Sequence, residues 1–192
     1  GTYNMVRLLA EDRQDLTVRV YDSVSGSLGV GLTVLQLAED IQKGASWDYL
    51  TEKRTPSLIR NTHPFFSVDT LEYLQKGGRI GKISAMAGTM LQIKPLITFA
   101  EDGQLRSVAK VRGRQQVIHK LVELTQQALG TGTRYNLAVA NGGAPEAMET
   151  LRAKLTAALP DYDHLWDGEL DGTLSVYIGD GVLGAAVQVL EE

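Results

Sequence analysis

The chain predicts an α/β protein in two parts, and three stretches carry that expectation. Residues Leu16–Tyr21 alternate with β-branched side chains and lead into a long helix reaching about residue 43. Leu71–Phe99 reads as an amphipathic helix, a glycine turn, a second helix of small and flexible residues, and a strand. Glu101-Asp102-Gly103-Gln104 joins two strand-like segments, Leu91–Phe99 and Leu105–Val111, into a hairpin with an Asp-Gly turn. The division is placed at residue 60. Residues 1–60 then complete a parallel-sheet α/β domain whose first strands are absent, and residues 61–192 carry the hairpin and most of a second α/β domain.

In chain order, Gly1–Glu11 reads as a helix with Met5, Leu8 and Leu9 on one side and no strand before it. The strand at Leu16–Tyr21 puts Asp22 and Ser23 at its C-terminal end, where open α/β sheets bind ligands. Ser27 suits an N-cap, and Leu28, Leu32, Leu35 and Ala38 give the following helix an apolar face. Gly29 and Gly31 in its first turn cost about 1 kcal/mol each in helix propensity. They allow close approach of either a neighbouring strand or a ligand. Gly44 ends this helix and Ser46 starts another, and Asn61–Val68 is a strand whose Pro64 places its beginning at an edge or bulge. His63 reads as a surface or interface histidine, because no nucleophile or carboxylate motif accompanies it.

Leu71 and Leu74 share one helical face, and Gly77 and Gly78 stop that helix, so Arg79 is held at a turn. In Ile83–Leu91, small residues lower the walls, Met86 and Met90 supply adaptable apolar surface, and Gly88 gives clearance. Such a helix either packs under a sheet or lines a slot. Downstream, Arg112-Gly113-Arg114 opens a helix to about Leu129. Cations at a helix N-terminus oppose its dipole, so the two arginines are either solvated or face an anion. Arg134–Ala140 reads as a strand, Pro145–Leu159 as a helix, Asp163–Trp166 as a short strand and Thr173–Ile178 as the last strand.

Several chemistries are excluded or made improbable by composition. The chain has no cysteine, which removes disulfides, thiolate nucleophiles and cysteine metal sites, and His63, His119 and His164 lack paired metal-ligand spacing. A net charge of −4 gives no general attraction to nucleic acid. No apolar run reaches the roughly 18 residues of a membrane span, and the start is not a signal peptide, so the expected location is the cytoplasm. A phosphate loop fails twice: Lys76 stands where the first glycine belongs, and Ile83 follows Lys82 where Ser or Thr is required. Gly179–Ala185 matches a dinucleotide-binding glycine pattern in form, yet only seven residues follow Ala185, too few for a βαβ unit.

The run Leu71-Glu72-Tyr73-Leu74-Gln75-Lys76-Gly77-Gly78-Arg79-Ile80, its small-residue helix and Ile93-Lys94-Pro95 resemble the signature of the DegV family of bacterial fatty-acid-binding proteins. Asp22–Gly31 and Val111-Arg112-Gly113-Arg114 resemble two further family segments in the family's order. Gly1-Thr2-Tyr3 resembles the end of its Ser-Gly-Thr-Tyr motif, whose serine hydroxyl binds the fatty-acid carboxylate and would stand just before Gly1. Gly179, Gly181, Leu183 and Gly184 align with a C-terminal family segment in which histidine often stands at Tyr177 and proline at Asp180.

The resemblance implies one long-chain fatty acid held between two α/β domains and presented to a fatty acid kinase that phosphorylates its carboxylate. The carrier itself has no catalytic residue, cofactor or metal, and its membrane contact is at most transient. The expected ligand-binding residues are Gly1, Thr2, Ser23, Ser27, Gly29, Met86, Gly88, Met90 and Tyr177, with Arg79, Arg112 and Arg114 as a basic rim toward the head group or kinase. An enzyme acting on a small phosphorylated substrate through those arginines is the alternative. A purely structural fragment is the third reading.

Overall fold

The computed structural model describes residues 1–86 and 93–191, apart from the side chains of Ala85 and Met86. Its frame is a six-stranded sheet of β1 (Thr62–Ser67), β2 (Ile93–Phe99), β3 (Leu105–Arg112), β4 (Tyr135–Gly142), β5 (Leu165–Glu169) and β6 (Val182–Val189), in the order β3-β2-β1-β6-β4-β5. Pairings are antiparallel except β4 with β5. Gly103, at positive φ, turns the β2–β3 hairpin as expected.

Strand periodicity sends alternate residues to opposite faces. On one face Leu137, Val139, Leu183, Ala185 and Val187 join Val117, Ile118 and Leu121 of α6 (Arg114–Leu129) and Leu151 and Leu155 of α7 (Pro145–Ala158) in the main core. On the other face the side chains are small. Ala138 and Ala186 pack against Leu32 of α2 (Leu28–Gln42), with Ala140 and Gly184 at the neighbouring same-face positions. A third cluster joins Leu71 and Leu74 to Val68, Ile83, Ile97 and Val182, seating the short α5 (Glu72–Lys76) at the sheet's end.

A buried polar chain ties α2 to this sheet. Arg54 Nε donates to Asp40 at 2.7 Å, Gln36 Nε2 donates to Asp40 at 2.9 Å, and Asn136 Nδ2 donates to Gln36 Oε1 at 2.8 Å. Asn136 Nδ2 also donates to Gln188, whose Nε2 donates to Thr62 Oγ1. The buried face of α2 is therefore Gly29, Leu32, Thr33 and Gln36, while Leu35 and Ala38 lie exposed. Hydrogen bonding to the sheet, more than apolar periodicity, sets the helix's rotation.

Four expectations are corrected. Residues 16–22 form no strand, since no strand lies alongside them among the described residues. Thr173–Ile178 lies in a helix, α8 (Gly172–Ile178), because Asp171 caps it by accepting from Leu174 N at 3.2 Å and it packs on α5. The last strand is instead β6. The short strand runs Leu165–Glu169 rather than from Asp163. Finally, Gly81–Met86 is a 3-10 turn, and the rest of the expected helix to Leu91 lies outside the described residues.

Other expectations hold. The first helix is α1 (Thr2–Glu11), with Met5, Leu8 and Leu9 exposed, and Ser46 caps α3 (Trp47–Tyr49), which continues through a π-turn at Leu50–Arg54 into α4 (Thr55–Arg60). At Pro64, β1 pairs with β6 alone, since its β2 register begins at Phe66.

Candidate functional site

A cavity of about 690 Å³ opens on the small-residue face of the sheet. Its floor is Pro64, Phe66, Ala140, Val182 and Gly184 with the backbone of Phe65, and its walls come from the turn before α2, the glycine turn after α5, the hairpin and α8. Small residues at 140 and 184 create the volume that leucines would fill.

Arg79 stands on this wall because of the turn chemistry read from the sequence. Arg79 N donates to Leu74 O at 2.8 Å and Gly78 N to Gln75 O at 3.1 Å, with Gly78 at φ +67°, the paired bonds of a Schellman stop. The guanidinium lies 4.4 Å from the centroid of the Tyr177 ring, and its Nη1 donates to Gly77 O at 2.6 Å. A cation over an aromatic face at that separation is attracted to the ring.

Reciprocal glycine–tyrosine contacts fix Tyr177 in turn. A Cβ on Gly77 would collide with the Tyr177 ring, and one on Gly179 with the Tyr73 ring, so α5 and α8 pack through these two pairs. Among the described residues the cavity thus has one cationic, aromatic station, on a wall that also carries Leu74, Leu105, Leu170, Leu174 and Ile178.

Of the sequence-predicted residues, Thr2, Ser27, Tyr177 and Arg79 line this cavity. Ser27 sits at φ +49°, exposed, and its side chain makes no capping bond to α2. Gly29 lies behind the wall: a Cβ there would collide with Ser25 Oγ and lie 3.2 Å from Pro64 Cγ, so the helix approaches the strand closely at this point. Ser23 lines a separate polar pocket, and Gly1 has no neighbour within 4 Å of an added Cβ. Gly88 and Met90, with the Met86 side chain, lie outside the described residues.

The three arginines do not converge on the cavity. Arg114 Nη1 donates to Gly181 O, and its Nη2 lies 3.2 Å from Asp69 Oδ2; Lys94 shares that carboxylate at 3.1 Å. The anion facing the start of α6 is therefore Asp69. Arg112 is exposed at the end of β3 and has no ion pair among the described residues. No cluster of potential metal ligands occurs among the described residues, and no helix there is long and apolar enough to cross a membrane.

The sequence did not single out Phe66, Phe99, Leu105, Leu170 and Leu174 as lining residues. The available signal was the period-2 run of small residues, Ala138 and Ala140 in β4 with Gly184 and Ala186 in β6, which marks a sheet face with room above it.

Comparison with known proteins agrees with this geometry. The family model described as "Uncharacterised protein, DegV family" matches residues 1–189. A DegV domain-containing protein of Clostridium acetobutylicum is 34% identical over 187 residues, covering 97% of this chain, and the chain spans 66% of that relative's length. Among solved structures, the fatty-acid-binding DegV family protein of Thermus thermophilus superposes with a TM-score of 0.89 at 28% identity, over 99% of this chain and 67% of that one. DegV of Bacillus subtilis, described as a fatty acid binding protein, gives a TM-score of 0.84 at 25% identity, over 98% and 66%. The family model and these relatives cover nearly the whole sequence, and the chain belongs to the DegV family.

Proposed function

We propose that this chain holds one long-chain fatty acid in the 690 Å³ cavity and presents its carboxylate to a fatty acid kinase for acyl-phosphate formation. The observation that carries the reading is a mainly apolar cavity with, among the described residues, a single cation on its wall, Arg79 stacked on Tyr177. Ten buried methylenes at about 0.8 kcal/mol each supply about 8 kcal/mol, micromolar binding before entropic losses. The acyl chain thus provides affinity, and the arginine fork and the Tyr177 hydroxyl orient the carboxylate. The fatty-acid binding of the Thermus thermophilus and Bacillus subtilis proteins supports the same ligand class here.

The carrier works in the cytoplasm, touches membrane only transiently and leaves catalysis to the kinase. Ser23 and Gly29 belong to the supports of the cavity in this reading, and Arg112, exposed and without an ion pair among the described residues, meets the kinase. The proposed division at residue 60 falls between α4 and β1, with α2 lying against β1, β4 and β6 and α4 packing on α2. An enzyme acting on a small phosphorylated substrate is the weaker reading, because Arg114 is engaged by Asp69 and Arg79 alone of the three arginines is among the cavity's lining residues.

The test is to load Arg79→Ala with fatty acid and assay phosphorylation by the cognate kinase. Fatty-acid affinity stays within about tenfold, or 1.4 kcal/mol, while acyl-phosphate formation falls much further. Normal turnover would refute the role of Arg79.

A further inference from the structure

We infer that Phe99 is the partition that sets the longest acyl chain the cavity admits; this rests on the fatty-acid reading above. A second pocket of about 360 Å³ lies beside the cavity, and its lining is polar: Ser23, Arg60, Thr62, His63, Thr98 and Glu101 among others. Among the described residues the two spaces share Ser25, Pro64 and Phe99, which therefore form the wall between them.

Two of the three are fixed. Ser25 is wedged over Gly29, where no Cβ fits, and Pro64 has the rigid ring and the β6 pairing of a central strand. Thr98 Oγ1 donates to Pro64 O at 2.7 Å, tying the end of β2 to the same point. Phe99 is the remaining and largest element. Its ring packs 3.4 Å from the position of a Cβ on Gly26, and it forms a tilted pair with Phe66 at 6.4 Å between centroids.

The chemistry on the two sides explains why this wall limits the ligand. A methylene that stays on the apolar side gains burial, whereas one pushed beyond Phe99 would desolvate hydroxyls, an imidazole and charged groups without pairing them. The partition keeps the acyl chain dry and ends its useful length.

The experiment loads the full chain with an equimolar ladder of saturated fatty acids and reads the bound lengths by mass spectrometry of the extracted lipid. Wild type shows a sharp upper cut-off. Phe99→Ala moves the cut-off to longer chains by the few methylenes that fit the space of the lost ring, each of these raising relative affinity about fourfold, from 0.8 kcal/mol per methylene, and Phe99→Trp moves it to shorter ones. Should the alanine variant fail to fold by circular dichroism, Phe99→Leu and Phe99→Trp must still shift the cut-off in opposite directions. Length profiles identical to wild type in folded variants that bind fatty acid overturn the partition and leave the carrier reading standing. Absence of fatty acid from wild type itself overturns both.

Discussion

Removing the Asp40 carboxylate tests how α2 is held against the sheet, and therefore what positions the wall of the cavity at Ser27 and Leu28. The Arg54 side chain is 8% exposed and the Asp40 side chain 14%, at 2.7 Å. Asp40→Ala leaves a guanidinium buried with its Nε unpaired, and Gln36 Nε2 keeps only a 3.4 Å contact to Glu39. Breaking one side of a buried ion pair costs roughly 3–5 kcal/mol. Arg54 retains Leu190 O as an acceptor at 2.9 Å, which puts the expected loss near the lower end, about 3 kcal/mol. With a urea slope of about 2 kcal/mol/M, the unfolding midpoint falls by about 1.5 M at unchanged slope. The double variant Asp40→Leu/Arg54→Met, which removes both charges, recovers most of the loss. A loss under about 1 kcal/mol in Asp40→Ala, or a double variant as weak as the single one, refutes the reasoning.

Further predictions follow from packing and titration. Gly29→Ala drives a methyl into Ser25 Oγ and against Pro64 and should cost about 1–3 kcal/mol, measured by thermal or urea unfolding, while Gly31→Ala, with open space around its Cβ, should be neutral or stabilising. Burial pushes the His63 imidazole below its ordinary 6.5, so the native state binds fewer protons than the unfolded one as pH falls through 6.5. Stability is therefore fully present above about pH 6.5 and declines below it toward the depressed native value, and His63→Gln should flatten that part of the pH profile.

What could be read from the sequence was set by local physics. Gly77-Gly78-Arg79 ended as a Schellman stop because glycine at positive φ determines that geometry without tertiary help, and the Asp102-Gly103 turn formed for the same reason. Thr173–Ile178 misled because β-branched residues favour strands in isolation, whereas the Asp171 cap and the Tyr177–Gly77 contact select a helix. β6 went unseen because Gly184, Ala185 and Ala186 are weak strand formers whose value lies in close packing between β1 and β4. Arg114 pairs with Asp69, 45 residues away in sequence, across the fold. Such a pairing leaves no periodic trace in the chain.

The central claim, that one acyl chain occupies the cavity above Ala140 and Gly184, is tested most directly by crystallising the chain with a fatty acid brominated at its terminal carbon and locating the bromine by anomalous scattering. One bromine per chain is expected inside the cavity, on the apolar side of Phe99, with the carboxylate beside Arg79 and Tyr177. A bromine seated in the groove between α2 and Trp166, in the polar pocket around His63, or nowhere on the chain would contradict it.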